Sequence, residues 1–148
     1  MPASKNKRNK QHKRMPVKQP PLLNKLPCSD ASIKLLQVRH NELLLRLFFK
    51  TADRHDASEL YTHLALCWLL VPNFNEQKAA YGQLAKGALY LNEYASSGSL
   101  DKEEFDELTD IFDFTIEIIK RSTIAEITEK AAQLKSGKAN VVFKFPED

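Results

Sequence analysis

The stretch from Leu60 to Val71 constrains this chain more than any other. Leu60, Tyr61, Leu64, Leu66, Cys67, Trp68, Leu69, Leu70 and Val71 leave almost no polar face, and Pro72 follows at once. A helix that is apolar nearly all round needs neighbours on most sides, so this segment is expected at the centre of a helical assembly, ending before the proline. It is too short to cross a bilayer, which takes about 18 or more consecutive apolar residues.

The flanking segments supply the neighbours. Ile33, Leu36, Leu43, Leu44, Leu47 and Phe48 recur at steps of three and four, which predicts a first helix starting near Ser29 or Asp30 and stopping near Thr51–Asp53. Asp56 and Glu59 have the spacing of a capping box for the central helix. A third helix is expected from about Asn73–Asn75, carrying Phe74, Tyr81, Leu84, Ala88, Leu91 and Ala95, and broken at Ser96–Ser99. Its Ala79, Ala80, Gly82, Ala85 and Gly87 make one surface small, which suits close approach of the bulky second helix. A fourth helix is expected from Leu100 or Asp101 to Arg121, with Phe105, Leu108, Ile111, Phe112, Ile116 and Ile119 buried. Thr123 and Glu126 open a short fifth, with the stripe Ile124, Ile127, Ala131 and Leu134, and Gly137 closes it. The reading is a single all-α domain, a bundle of four main helices plus a short fifth over residues 29–137. Residues 1–28 are read as a disordered basic arm and residues 138–148 as an extended tail.

Charge is divided unevenly along the chain. Residues 1–27 contain eight of the 22 Lys and Arg (Lys5, Lys7, Arg8, Lys10, Lys13, Arg14, Lys18 and Lys25) and none of the 19 acids. The rest therefore carries 14 bases against 19 acids, so a formal net charge of +3 conceals a basic leader on an acidic body. The leader also holds Pro2, Pro16, Pro20, Pro21 and Pro27 among Lys, Asn and Gln, too little apolar surface to offset the entropy of ordering. Leu22, Leu23 and Leu26 are its apolar exceptions, placed to pin its end onto the body. No apolar h-region of about 7–15 residues follows the bases, so the leader does not read as a secretory signal. It resembles, in composition only, the basic starts of many small bacterial, plasmid and prophage proteins.

Motifs exclude several reaction classes. With Gly82, Gly87, Gly98 and Gly137 alone, neither GxxxxGK[ST] nor GxGxxG can be written, and no GxSxG or HExxH occurs. Cys28 and Cys67 lie too far apart for a CxxC pair and read as a linker thiol and a small core residue. Asp53, His55, Asp56, Glu59 and His63 form the densest set of metal-type ligands: an early helix start would step His55, Glu59 and His63 by four along one face, the third and least favoured reading of a small metalloenzyme, but with Asp56 as the cap His55 falls outside the helix and Glu59–His63 is an ordinary surface pair. His40 reads as a polar-face or boundary residue, and Trp68 with Tyr61 as core. No catalytic residue, metal ion or cofactor is therefore expected.

Two features remain as binding signals. Lys5, Lys7, Arg8, Lys10, Lys13, Arg14 and Lys18 suit phosphate contacts, which release condensed counterions and need no structured base readout. They predict weak, salt-sensitive binding to nucleic acid or a nucleoprotein, in the cytoplasm or, in a eukaryote, the nucleus. The second signal is the fourth helix, where Asp101–Glu117 holds eight acids and one base, Lys102. Asp106, Asp110, Asp113 and Glu117 step by three or four and share one side, an expected docking surface for a basic protein or for the chain's own leader.

Overall fold

The computed structural model describes residues 25–147 of the 148. Among them are five α-helices: α1 (Asp30–Phe48), α2 (Arg54–Leu70), α3 (Gln77–Ser97), α4 (Lys102–Lys120) and α5 (Ile124–Ser136). The all-α bundle is thus as expected, with no named strand among the described residues.

Local chemistry sets each boundary. Ser29 caps α1 by accepting from the Ser32 N–H at 3.2 Å. Lys50 closes it with φ 60°, its N–H donating to Leu47 O while Thr51 N–H reaches back to Arg46 O at 2.8 Å. That is a Schellman ending built on lysine where glycine is the usual occupant. Asp101 and Thr123 head reciprocal capping boxes with Glu104 and Glu126, as their spacing suggests.

Two starts differ from expectation. The cap of α2 is Asp53, three residues before the anticipated Asp56, and Asp56 serves instead as the third helical residue of the box. Its Oδ2 accepts from the Asp53 N–H, while its Oδ1 accepts from Arg46 of α1 at 2.9 Å. The carboxylate that looked like a cap is therefore a buried tie between two helices. α3 begins at Gln77 because Val71–Asn73 first forms a 3-10 turn with Pro72 inside it, closed by Phe74 N–H on Val71 O. Proline has no N–H to lose, so it is tolerated in such a first turn.

Packing follows from α2. It touches all four other helices, the central position that its apolar composition demands. Leu60, Leu64, Cys67 and Leu70 are fully enclosed on it. The small surface of α3 faces it at Gly87, where an added Cβ would stand 3.1 Å from both Leu64 Cδ1 and Ile111 Cγ2. α4 contributes Leu108, Ile111, Phe112, Ile116 and Ile119, and α1 contributes Ile33, Leu43, Leu44 and Leu47.

Some expected core residues lie elsewhere. Phe48 is 49% exposed at the end of α1 and meets Phe49 and Phe105 edge-on. α5 buries no residue completely: Ile127 and Leu134 are half-covered, and Ile124 and Ala131 face outward. Trp68 and Tyr61 are half-buried too, and the C-terminal tail helps to seal them. Phe143 stacks edge-on against both rings at 5.2 Å, Tyr81 closes on Trp68 at 4.5 Å, and Pro146 rests on Gly82.

Candidate functional site

The acidic side of α4 lies open. Asp106, Asp110, Asp113 and Glu117 are all exposed, because the buried stripe of Leu108, Ile111, Phe112 and Ile119 takes the opposite side of a strongly two-sided helix. Glu117 lies 3.7 Å from Lys120, a weak surface pair. Toward α3 the helix is differently occupied. Glu107 accepts from the Tyr90 hydroxyl and from Lys86 at 2.7 Å, and these partners hold its carboxyl below the usual range. Glu104 shares a hydrogen bond with Glu93, which raises its pKa because one carboxyl must carry the proton.

α1 runs beside α4, with Phe48 against Phe105 at one end and Lys34 near Ile116 at the other. The two helices are therefore antiparallel and enclose a groove. A cleft of about 330 Å³ opens in it, with Lys34, Gln37, Val38 and Asn41 on the α1 wall, Asp113 and Ile116 on the α4 wall, and His40 and Phe112 deeper. The outer face of α1 is unexpectedly apolar. Leu35 is 72%, Val38 58%, Leu45 54% and Phe49 65% exposed. Glu42 lies among them, bound to Arg46 at 2.6 Å and Arg39 at 3.3 Å.

Beneath the cleft lies a feature that the sequence reading missed. His40 is only 5% exposed rather than on a polar face, and its ring centroid is 4.2 Å from that of His63. His63 is likewise buried instead of pairing with Glu59 on the surface. Thr115 donates its hydroxyl proton to Phe112 O at 2.6 Å, so its oxygen accepts from His63 Nε2 at 2.8 Å. This fixes His63 as the tautomer protonated at Nε2. His40 Nδ1 is buried without a hydrogen-bond partner. Burial lowers the pKa of His40 to about 4 and that of His63 to about 3, in His63 with a further push from His40. Both rings are neutral at physiological pH. Cys67, 3.5 Å from His63 Nε2, is completely enclosed, and burial pushes its thiol far above the ordinary range, so it is no nucleophile.

The metal-type set near the start of α2 is rearranged. With Asp53 as the cap, His55 enters the first turn, so His55, Glu59 and His63 do step by four along one helix. They do not converge on an ion: Glu59 accepts two hydrogen bonds from Arg39 at 2.7 and 2.9 Å, His63 is buried, and His55 faces outward. Among the described residues no three His, Cys, Asp or Glu side chains are grouped to hold a metal. A second hollow, of about 640 Å³, lies where α1 ends and α2 begins and is lined by Asp53, Arg54, Ser58, Tyr61 and Asn92. Its one carboxylate, Asp53, is spent on the cap.

Lys5, Lys7, Arg8, Lys10, Lys13, Arg14 and Lys18 lie outside the described residues, as do Leu22 and Leu23. The end of the leader is placed. Leu26 O accepts from Ile124 N–H at 2.8 Å and Pro27 bridges Thr123, so the chain enters the body at the start of α5, immediately before turning into α1. No described helix is long and apolar enough to cross a membrane. No family model, curated protein or solved structure matches the chain.

Proposed function

We propose that this chain is a non-catalytic binding protein whose basic leader contacts nucleic acid or a nucleoprotein while the helical body offers a separate docking face. The observation that carries the proposal is the division of charge: eight bases and no acid in residues 1–27, against 14 bases and 19 acids in the remainder. Lys5, Lys7, Arg8, Lys10, Lys13, Arg14 and Lys18 are the phosphate contacts. Each phosphate neutralised releases condensed counterions, so seven contacts on duplex DNA predict a plot of log affinity against log salt with slope of about −6. The leader has no aromatic residue, so stacking on bases adds nothing and sequence preference is slight. Deleting residues 1–18 tests this: binding to nonspecific DNA and RNA is expected to weaken sharply and the salt slope to collapse. An unchanged affinity and slope would remove the leader from the mechanism.

A second reading is supported by the exposure of Asp106, Asp110, Asp113 and Glu117 beside the apolar outer face of α1. Here the chain is an interaction or inhibitor module, of mobile-element or prophage type, that docks a basic protein through the acidic side of α4. Reversing Asp106, Asp110 and Asp113 to Lys would abolish capture of that protein without loss of helix content. Capture that persists after nuclease treatment favours this reading; capture lost with nuclease favours the leader.

A further inference from the structure

We infer that in the free protein residues 13–23 of the leader lie in the groove between α1 and α4, with Leu22 and Leu23 against Val38 and the bases Lys18, Arg14 and Lys13 on Asp113, Asp110 and Asp106. The leader is thereby masked until a polyanion displaces it, a regulation that rests on the proposed nucleic-acid reading.

The placement follows from where the leader ends. Leu26 and Pro27 are clasped to Ile124 and Thr123, beside the end of α4 and the beginning of α1, which is the mouth of the groove. Val38 lies eight residues into α1, about 12 Å along its axis, and Asp113 and Asp106 lie about 15 and 25 Å from Thr123 along α4. An extended chain covers about 3.3 Å per residue, so Leu23 and Leu22 reach about 10–13 Å from Leu26, Lys18 about 26 Å and Lys13 about 43 Å. Each leader residue is therefore within reach of its assigned partner.

The walls also match what the leader carries. The α1 side presents apolar area at Val38, and the α4 side presents carboxylates. Between them the cleft reaches down to the largely enclosed ring of His40. Lys34 stands on the α1 rim, so the bases are directed to the α4 side. The leader, lacking any acid, meets no repulsion from that ridge. Tethering lets weak contacts suffice: a short linker holds its segment at roughly millimolar effective concentration. A separate basic peptide of equal affinity would need that concentration in solution, which is why the chain's own leader is the favoured occupant.

Zero-length carbodiimide coupling of the full-length chain tests the contact directly. Isotopically light and heavy protein are mixed so that links within one chain are distinguished from links between chains. At low salt, Lys13 and Lys18 are expected to couple to Asp106, Asp110 or Asp113 of the same chain, and the links are expected to vanish at high salt or on addition of duplex DNA. Coupling spread equally over Glu76, Glu129 and Glu147, or predominantly between chains, overturns the proposal. A second measurement is DNA affinity of the full-length double variant Asp110→Asn/Asp113→Asn. If nine-tenths of leaders are docked, unmasking raises apparent affinity by about tenfold. The variant Glu76→Gln/Glu129→Gln removes the same charge away from the groove and sets the level that general repulsion accounts for. An equal gain in both variants overturns the masking. Same-chain links in a protein that binds no DNA at any salt would retain the docking and refute the proposed function. DNA binding without such links would do the reverse.

Discussion

α1 has two apolar faces, and the fold uses only one. Inward, Ile33, Leu43, Leu44 and Leu47 are 6% exposed or less. Outward, Leu35, Val38, Leu45 and Phe49 are more than half exposed, on the same helix and of similar hydrophobicity. The inner set is explained by folding alone, because α2 and α4 cover it. The outer set is not, and an apolar stripe adjoining a row of carboxylates marks a surface for something else to cover.

The sharpest way to break this comparison is to truncate one residue on each face. Leu43→Ala, at a fully enclosed position, is expected to cost about 2–5 kcal/mol, seen as a large fall in the urea midpoint. Leu45→Ala, two residues along, is expected to move it by no more than about 0.5 kcal/mol. Similar losses at both would mean that α1 is covered on its outer side in solution.

A smaller effect comes from acid. His40 titrates at about 4 in the folded chain against an ordinary 6.5, so between those values the unfolded chain binds a proton that the folded chain refuses. The stabilisation is fully present above about pH 6.5 and drains as the pH falls toward 4, by about 3 kcal/mol for this group. His63 extends the loss to about pH 3. Asp53, Glu59, Glu107 and Glu126, whose pKa values are lowered by their partners, add their own losses at the acid end. Urea melts of the wild-type chain and of His40→Leu across this range separate the contributions: the gap between them should shift in favour of the variant as pH drops from 6.5 to 4. A gap independent of pH would show that His40 is not enclosed.

The last expected effect is a gain. Lys50 holds a left-handed backbone that costs a non-glycine residue roughly 1 kcal/mol, so Lys50→Gly is expected to raise the melting temperature by a few degrees. A loss would mean that this end of α1 is not formed as described.

Much of the architecture was legible in spacing. Ser29, Asp101 and Thr123 announced their helices, Gly137 its stop, and Leu60–Val71 its central place. The misreadings share a physical origin. His40 falls four residues after Leu36 and three before Leu43, and His63 falls three after Leu60 and one before Leu64, so both occupy gaps in apolar stripes. Register alone places both rings inward; only the polarity of imidazole points the other way. Asp56 was misassigned because its partner Arg46 comes from another helix, and tertiary ties leave no local trace. The exposed ridge of α4 was fully readable from its period. The groove beside it was not, since it depends on which helix α4 meets.

The seating of Phe143 between Tyr61 and Trp68 has a practical corollary. The chain possesses a single tryptophan, and that indole lies under the tail, on the side of α2 away from the α1–α4 groove. Its emission is consequently an intrinsic optical gauge of whether the final residues are latched, and one that occupancy of the groove should leave undisturbed.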